Sequence, residues 1–273
     1  MFNASVIVSF YNNTKALGLI LRALESQKDN FEVIIADDGS NSDAVSYVRH
    51  EINTSSLNIK HVSQLDKGFR KNRILNKAIN IADSDYVIFI DGDCIPQSGF
   101  VEDHLSNKVQ NHILNGRRVD LPAQLGEQLY SQSNPENFFN RNVFKILALY
   151  LKSQGKNIEK GFRIKNRFLS NQLNRKDKGI VGCNFSAFKA DLEKINGFDN
   201  RYEAASIGED TDIEYRLRGA GVKVKNIFYQ ANILHLMHRE LPRTQAVLDL
   251  FETTRKTKQY IAESGLAQAN DEE

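Results

Sequence analysis

Two acidic motifs in the sequence combine residue types that could carry out chemistry. The first, Asp91-Gly92-Asp93, directly follows the apolar run Tyr86–Ile90, which is typical of a strand buried on both faces of a sheet. In an open α/β sheet, ligands bind beyond the carboxyl ends of the strands. Two carboxylates there offer hard oxygen ligands to a divalent cation, and Gly92 lets a phosphate or metal approach the backbone. A polar turn that ends a strand explains the same residues more simply.

The second acidic motif, Glu209-Asp210, opens a predicted helix together with Asp212. Acids at a helix start interact favourably with the helix dipole, which explains one acid easily and three poorly. Asp212 is expected to cap this helix. Further along the chain, His235 and His238 stand three residues apart, so both imidazoles can face one ion from a helix or a turn. Paired histidines without a metal are also common.

The elements that must hold these residues alternate in the order of a doubly wound, mostly parallel α/β sheet. Strands are predicted over 5–10, 31–36, 59–62 and 86–90, with helices between them. Asn13 or Thr14 is expected to cap the first helix. The chain has neither a glycine-rich dinucleotide fingerprint after the first strand nor a P-loop, which argues against a dinucleotide dehydrogenase or a P-loop enzyme.

The second half of the sequence is less regular. A helix is predicted over 100–114, and strands are predicted over 179–188 and 222–227. Residues 141–178 contain eleven basic residues and two acids around an apolar cluster at near-helical spacing. This pattern fits a basic amphipathic helix that faces an anionic membrane or an acidic or lipid-linked acceptor. It fits equally a solvated helix packed on the domain.

Composition excludes several other classes of protein. The chain has 273 residues, 41% of them hydrophobic and 26% charged, as in an ordinary globular protein. A net charge of +2 is too small to indicate nucleic-acid binding. No apolar run approaches the roughly 18 residues of a membrane span, and the amino terminus lacks a signal-peptide pattern. Cys94 and Cys183 stand far apart, so we expect no disulfide framework and a cytoplasmic location.

The order of the motifs resembles that of family 2 glycosyltransferases with the GT-A fold. The second half is similar to the galactosyltransferase carboxyl-terminal region. Four stretches carry the resemblance, and they are residues 8–12, 37–40, 91–93 and 208–210. Residues 182–186 and 196–199 fit the expected approach to the last stretch. Each match is modest alone, but together they follow the expected order over about residues 4–240.

The resemblance implies an inverting, metal-dependent transfer of a sugar from a UDP-sugar to a saccharide. Asp93 would bind a divalent ion, manganese or magnesium, while Asp91 would contact the ribose or the metal shell. His235 and His238 match the position of a Met-x-x-His that similar enzymes recruit to the ion. By the same resemblance, the Glu209-Asp210 motif supplies the base, Asp210, and a partner for a sugar hydroxyl, Glu209.

The resemblance also implies the residues that contact the nucleotide-sugar. Besides Asp91 and Asp93, the expected contacts are Ser9, Tyr11, Asp37, Asp38, Arg70, Arg73, Gly92 and Asn184. Uridine would lie against Ser9, Tyr11 and the Asp37-Asp38 turn, where a carboxylate can accept the ring N–H of the base. For each arginine, a plain surface charge at a helix start is an equal alternative to a phosphate or base contact.

We expect residues 1–115 to bind the nucleotide-sugar and residues 116–242 to bind the acceptor, with a basic insertion at about 136–178. Residues 243–273 are expected to form a helical tail. Galactose and N-acetylgalactosamine are the first candidate sugars. The expected acceptor is a saccharide of a bacterial surface polysaccharide or lipopolysaccharide, lipid-linked at the inner face of the cytoplasmic membrane, with peripheral membrane contact.

The sequence departs from the family pattern at one place, and this departure leaves the identity of the sugar and of the acceptor undetermined. Related sequences usually have an aromatic residue just before Gly-Glu-Asp, whereas this chain has Ala205-Ser206-Ile207 and no tryptophan.

Two other classes of function also remain. A sugar nucleotidyltransferase would normally carry a glycine-rich basic loop after the first strand, which this chain lacks. A non-catalytic sugar- or nucleotide-binding module would be expected to have lost an acidic motif, and both are intact.

Overall fold

The computed structural model describes residues 1–205, 207–238 and 242–271, with the backbone but not the side chain of Arg167. Ser206, part of the predicted departure before Gly208, lies outside the described residues. Residues 239–241 of the predicted second half and residues 272–273 of the predicted tail also lie outside them.

Four parallel strands from the first part of the chain form one side of a seven-stranded sheet. They are β1 (Ala4–Phe10), β2 (Phe31–Asp37), β3 (Asn58–Ser63) and β4 (Tyr86–Ile90), in the spatial order β3-β2-β1-β4. Helices α1 (Thr14–Glu25), α2 (Ser42–Thr54) and α3 (Lys71–Ile81) connect them. Apolar side chains are buried on both faces of the sheet, as the unbroken apolar run Tyr86–Ile90 predicted for β4. Asn13 caps α1, its side chain accepting from the Ala16 amide at 3.2 Å.

The second part of the chain completes this sheet and adds a smaller one. Its strands are β5 (Cys94–Pro96), β6 (His112–Asn115), β7 (Arg118–Asp120), β8 (Asn184–Phe188), β9 (Lys223–Asn226) and β10 (Ile233–His235). Strand β8 runs antiparallel beside β4 and is followed by β6 and β9, while β5, β10 and β7 form a three-stranded sheet. The helices are α4 (Phe100–Asn107), α5 (Ala123–Tyr130), α6 (Phe138–Tyr150), α7 (Arg167–Leu173), α8 (Lys189–Glu193), α9 (Ile213–Gly219) and α10 (Gln245–Thr257).

Three predictions for the second part were wrong in detail. The helix predicted over 100–114 ends at Asn107, and residues 112–115 form a strand because they pair with both β8 and β9. The predicted strand over 179–188 begins only at Asn184. His235 belongs to a strand rather than to a helix or turn, because residues 233–235 pair with β5 and β7.

The predicted basic insertion folds as α6, a 3₁₀ turn at Ile158–Gly161, and α7. Helix α6 packs Phe138, Phe139 and Ile146 inward. Its outer face carries Phe144 at 87% exposure, and Leu151 just beyond the helix is 86% exposed. Among the residues that the structure describes, no helix has the length and apolar character needed to cross a membrane.

Candidate active site

The Asp91-Gly92-Asp93 turn lies at the carboxyl end of β4, where β1 and α3 fix its first carboxylate. Ser9 Oγ donates to Asp91 Oδ1 at 3.1 Å, and Lys71 Nζ donates to the same oxygen at 2.6 Å. A Cβ on Gly92 would collide with the carbonyl oxygen of Ser9. Glycine is therefore required for the turn to lie against β1.

Asp93 lies beside the two predicted histidine ligands. Asp93 Oδ2 is 2.9 Å from His238 Nε2 and 3.6 Å from His235 Nε2. Burial raises the pKa of the Asp93 carboxyl, but the two nearby imidazoles outweigh burial and hold that pKa well below its usual range. The other ring nitrogen of His235, Nδ1, is 2.8 Å from Asp120 Oδ1, which orients the imidazole.

These three side chains fit a divalent metal ion. Their potential ligand atoms all lie within 4.8 Å of one another. His235 Nε2 is buried and has no hydrogen-bond partner within the described residues, an arrangement that is costly unless a further partner binds there. One carboxylate and two imidazoles form a donor set that suits manganese or zinc. The structure thus brings together the predicted ligands Asp93, His235 and His238.

The second acidic motif lies in a π-helical turn, Ile207–Asp212, that leads into α9. Asp210 is half-buried, and its Oδ1 accepts bonds from the Thr211 amide at 2.5 Å and the Thr211 hydroxyl at 2.9 Å. Burial, with the neighbouring Glu209 carboxylate, raises the pKa of Asp210 to about 6, against the lowering effects of Thr211 and Lys71. A carboxylate with that pKa can accept a proton near neutral pH.

Tight packing holds the π-helical turn in place. A Cβ on Gly208 would lie 2.5 Å from Tyr202 Cβ and 2.6 Å from Asn72 Nδ2 on α3, so glycine is needed here too. Asp212 was expected to cap the helix, but its side chain makes no capping bond. It is instead fully buried and accepts from Arg216 Nε at 2.7 Å, and Arg216 also donates to the carbonyl of Gly197 at 2.7 Å.

Lys71 connects the two acidic motifs, and the sequence analysis missed it. Its side chain is 12% exposed and forms its ion pair with Asp91. Burial lowers the pKa of the Lys71 ammonium, but Asp91, Glu209 and Asp93 together raise it above its ordinary value. Lys71 shares the inward face of α3 with Leu75 and Ala78, four and seven residues on. That spacing was the available signal that its side chain points inward.

The Asp37-Asp38 turn shapes its own loop. Asp37 is fully buried, and its two oxygens contact the Ser40 amide at 2.8 Å and His61 Nε2 at 3.0 Å. Asp38 accepts from Gln64 Nε2 at 2.5 Å and from the Arg70 amide at 2.9 Å. Both carboxylates therefore stabilise the loops beside β2, and their contacts with uridine stay a prediction.

Four other predicted donor contacts occupy different environments. Tyr11 is 52% exposed, and its hydroxyl donates to Asp66 at 3.0 Å. Arg70 is buried and donates to the carbonyl of Leu65. Arg73 donates to the carbonyl of Asp271 at 2.9 Å. Asn184 is fully buried, and its amide nitrogen donates to two backbone carbonyls, those of Arg117 and Ala231. The last two side chains make tertiary contacts, and a role for them in donor binding stays a prediction.

Two models of known protein families match the sequence of this chain. The model for Glycosyl transferase family 2 matches residues 5–195. The chain belongs to glycosyl transferase family 2. A second model, described as the N-terminal domain of galactosyltransferase, matches residues 164–239. Both results confirm the resemblance that the motifs indicated.

Similar proteins of known name are longer than this chain. It is 29% identical over 231 residues to a chondroitin synthase of Pasteurella multocida, covering 80% of this chain and 23% of that protein. It is 27% identical over 232 residues to a chondroitin synthase of Escherichia coli, covering 82% of this chain and 33% of that protein. The chain therefore spans between about a quarter and a third of the length of these relatives.

Solved structures confirm the GT-A fold. A mannosyltransferase from Pyrobaculum calidifontis, in complex with GDP-Man and Mn2+, matches with a TM-score of 0.55 and 16% identity over 95% of this chain and 63% of that chain. Staphylococcus aureus TarS matches with a TM-score of 0.53 and 17% identity over 85% of this chain and 60% of that one.

Proposed function

We propose that this chain transfers a sugar from a UDP-sugar to a saccharide hydroxyl, with inversion at the anomeric carbon and dependence on a divalent metal. One observation carries the proposal. Lys71 is paired with Asp91 beside the Asp93, His235 and His238 cluster, and the Glu209 carboxylate also raises its pKa. Lys71 therefore influences the charge of both the candidate metal ligand Asp93 and the candidate base Asp210, which supports a single site for the two roles.

The names of similar proteins support the donor and acceptor classes. TarS has been solved in complex with UDP, and the mannosyltransferase with GDP-Man and Mn2+. Relatives named chondroitin synthase, hyaluronan synthase and poly(ribitol-phosphate) beta-N-acetylglucosaminyltransferase support a polymeric saccharide acceptor. UDP-galactose and UDP-N-acetylgalactosamine remain the first donors to test, and a bacterial surface polysaccharide remains the proposed product.

The Asp91-Gly92-Asp93 motif is proposed to hold the leaving diphosphate. Asp93, His235 and His238 would bind manganese or magnesium, which when bound neutralises charge on that diphosphate. Ser9 and Lys71 both hold the same oxygen of Asp91, so that this carboxylate is oriented before the donor arrives.

The Glu-Asp side is proposed to activate the acceptor. Asp210 accepts the proton of the acceptor hydroxyl, whose oxygen then attacks the anomeric carbon from the face opposite the diphosphate. The bond from that carbon to the phosphate oxygen breaks, and its electron pair leaves with UDP. Glu209 holds a sugar hydroxyl during the transfer. The raised pKa of Asp210, about 6, supports its assignment as the base.

A donor panel tests this function directly. Purified protein is incubated with manganese, individual UDP-sugars and short saccharide acceptors, and UDP release is measured. We expect one UDP-sugar to give product, and NMR to show an inverted anomeric configuration. Retention would contradict the assignment of Asp210 as a base. Failure of every UDP-sugar, together with no UDP binding, would contradict the proposed activity.

We further propose that α6 makes peripheral contact with the anionic inner face of the cytoplasmic membrane. Phe144, Ala148 and Leu151 follow a spacing of four and three residues and are all exposed, so they share one helix face. The exposed basic residues Arg141, Lys145 and Lys152 lie along one side of that face. Apolar side chains flanked by cations are typical of interfacial helices.

Vesicle flotation tests this contact. The wild-type chain is expected to float with vesicles that contain phosphatidylglycerol and to stay behind with vesicles of phosphatidylcholine alone. Phe144→Glu with Leu151→Glu should abolish flotation, whereas Ile261→Glu, at an exposed apolar residue elsewhere, should leave it unchanged. Equal recovery of the double variant and the wild type would contradict the contact.

A further inference from the structure

A groove of about 680 Å³ runs along strand β9 at one edge of the seven-stranded sheet. We define the β9 groove by six of its lining residues, Asn171, Arg175, Asp177, Arg218, Lys223 and Asn226. Strand β9 pairs with β6 on one side, and in the described part of the chain no strand pairs with its other side. The volume of the β9 groove lies within the range of ligand-binding clefts.

The available charge in the β9 groove is positive. Arg175 and Lys223 are exposed, and neither side chain makes an ion pair or a hydrogen bond within the described residues. The acid in the groove, Asp177, is paired with Arg218 at 2.7 Å, and Arg218 is also held by Glu214 at 2.7 Å. Arg175 and Lys223 therefore remain available to bind anions.

A short stretch of chain connects the groove to the Glu209-Asp210 motif. Residues 177–182 run from Asp177, in the groove, to Gly182, where a Cβ would lie 3.0 Å from Glu209 Cγ. The Ile180 amide donates to Glu214 Oε2 at 2.7 Å, which fixes this stretch against α9. Five residue steps span at most about 18 Å, so Asp177 lies within about 18 Å of Gly182, a distance that an extended saccharide can bridge.

We propose that the β9 groove binds the anionic part of an extended saccharide acceptor, whose carboxylate or phosphate groups pair with Arg175 and Lys223 while its growing end lies at Glu209 and Asp210. The placement of the growing end at Glu209 and Asp210 rests on the proposed function. The binding of the anionic chain in the groove does not. Guanidinium and ammonium groups form charge-assisted hydrogen bonds with carboxylate and phosphate oxygens, and these bonds are stronger than neutral ones. The groove then selects for polyanionic acceptors, and the candidate active site selects for the sugar.

Direct binding measurements test the groove with the full chain. Titration calorimetry is carried out with a hyaluronan hexasaccharide, a short poly(ribitol phosphate) and a neutral chitin hexasaccharide. The first two probes distinguish carboxylate from phosphate recognition. We expect Arg175→Glu with Lys223→Glu to weaken binding of the preferred anionic probe at least tenfold. Lys28→Glu, at an exposed cation between α1 and β2, should leave the affinity unchanged.

Further readouts separate this proposal from the proposed function. Hydrolysis of the UDP-sugar without acceptor should be the same in the charge-reversed variant as in the wild type, while the KM for an anionic acceptor rises. Binding of a polyanion through Arg175 and Lys223 without any sugar transfer would uphold the groove and refute the proposed function. Unchanged polyanion affinity in the charge-reversed variant, or equally tight binding of the neutral probe, would overturn the groove. If charge reversal prevents folding, the double variant Arg175→Ala with Lys223→Ala replaces it in the same titration. We then expect a smaller loss of affinity for the anionic probe.

Discussion

The two acidic motifs contain the same chemical group in opposite surroundings. Asp93 contacts two imidazoles, which hold its pKa well below the usual range for a carboxyl. Asp210 lies half-buried beside a second carboxylate, and its pKa is raised to about 6. One carboxylate therefore stays an anion at every physiological pH, whereas the other can gain and lose a proton.

This difference supports the proposed separation of metal binding from proton transfer within one site. A permanently ionised carboxylate is a good ligand for a metal ion but a poor base, because it holds a proton too weakly. A carboxylate with a raised pKa is the better base. Lys71 forms an ion pair with Asp91 of the first motif, and the Glu209 carboxylate of the second motif also raises the pKa of Lys71. The predictions below test this division of roles.

Asp93→Ala should have the largest effect. It removes a proposed metal ligand, so stabilisation of the leaving diphosphate and binding of the donor are lost together, a loss of several kcal/mol. We expect kcat/KM to fall by about 10⁴-fold or more. Asp85→Ala, an exposed acid at the opposite end of β4, is the control and should retain activity. Wild-type rates in Asp93→Ala would remove this residue from the site.

Asp210→Asn should lower the rate of transfer without weakening the donor complex. The amide cannot accept a proton, so kcat should fall by about 10²- to 10⁴-fold. Initial rates at saturating UDP-sugar measure this loss, and titration with UDP should give the wild-type affinity. Asp85→Asn serves as the matched control. A variant that loses UDP binding instead would place Asp210 on the donor side.

Lys71→Met should have a smaller effect because Lys71 acts through Asp91. Removing the cation leaves Asp91 without its ion pair and the two acidic motifs without a shared counter-charge. We expect activity to fall by about 10- to 100-fold, in the range found for residues that orient metal ligands. Lys67→Met, at an exposed lysine nearby, should be active. Rescue of activity by Lys71→Arg would support a positioning role, and full activity of Lys71→Met would contradict it.

The pH profile should show the smallest effect, since it titrates one group without removing it. The pKa of Asp210 is about 6, above the ordinary value of 3.8, so the carboxyl becomes protonated below pH 6 and can no longer accept a proton. At saturating manganese, kcat/KM should fall by about tenfold per pH unit below pH 6 and level off above it. The slope should vanish in Asp210→Asn. A slope that persists in that variant belongs to another group.

The first part of the fold was predictable from local sequence, and parts of the second were not. Strands β1, β2 and β4 are rich in apolar residues and have helices between them, so their pattern is readable without tertiary information. Strands β6 and β10 have four and three residues, and they exist only because distant strands pair with them. The predicted boundary at residue 115 and the other domain limits stay predictions.

The candidate site was predictable where a motif is compact in sequence. The Asp91-Gly92-Asp93 turn, the Glu209-Asp210 motif and the two histidines could each be identified locally. The role of Lys71 could not, because its acidic partners lie 20 residues and more away in sequence, and the spacing within α3 indicates only that its side chain points inward. The guanidinium of Arg73 contacts a carbonyl 198 residues further along, a partner that the local sequence did not indicate, and its contact with the donor stays a prediction. Such long-range partners decide where a side chain points.

The most direct test of the division of roles is titration with UDP, with manganese and with chelator, of the wild-type chain, Asp93→Ala and Asp210→Asn. We predict that manganese strengthens UDP binding in the wild type and in Asp210→Asn but has no effect in Asp93→Ala. Loss of the manganese effect in both variants, or in neither, would contradict the separation of the metal-binding carboxylate from the base.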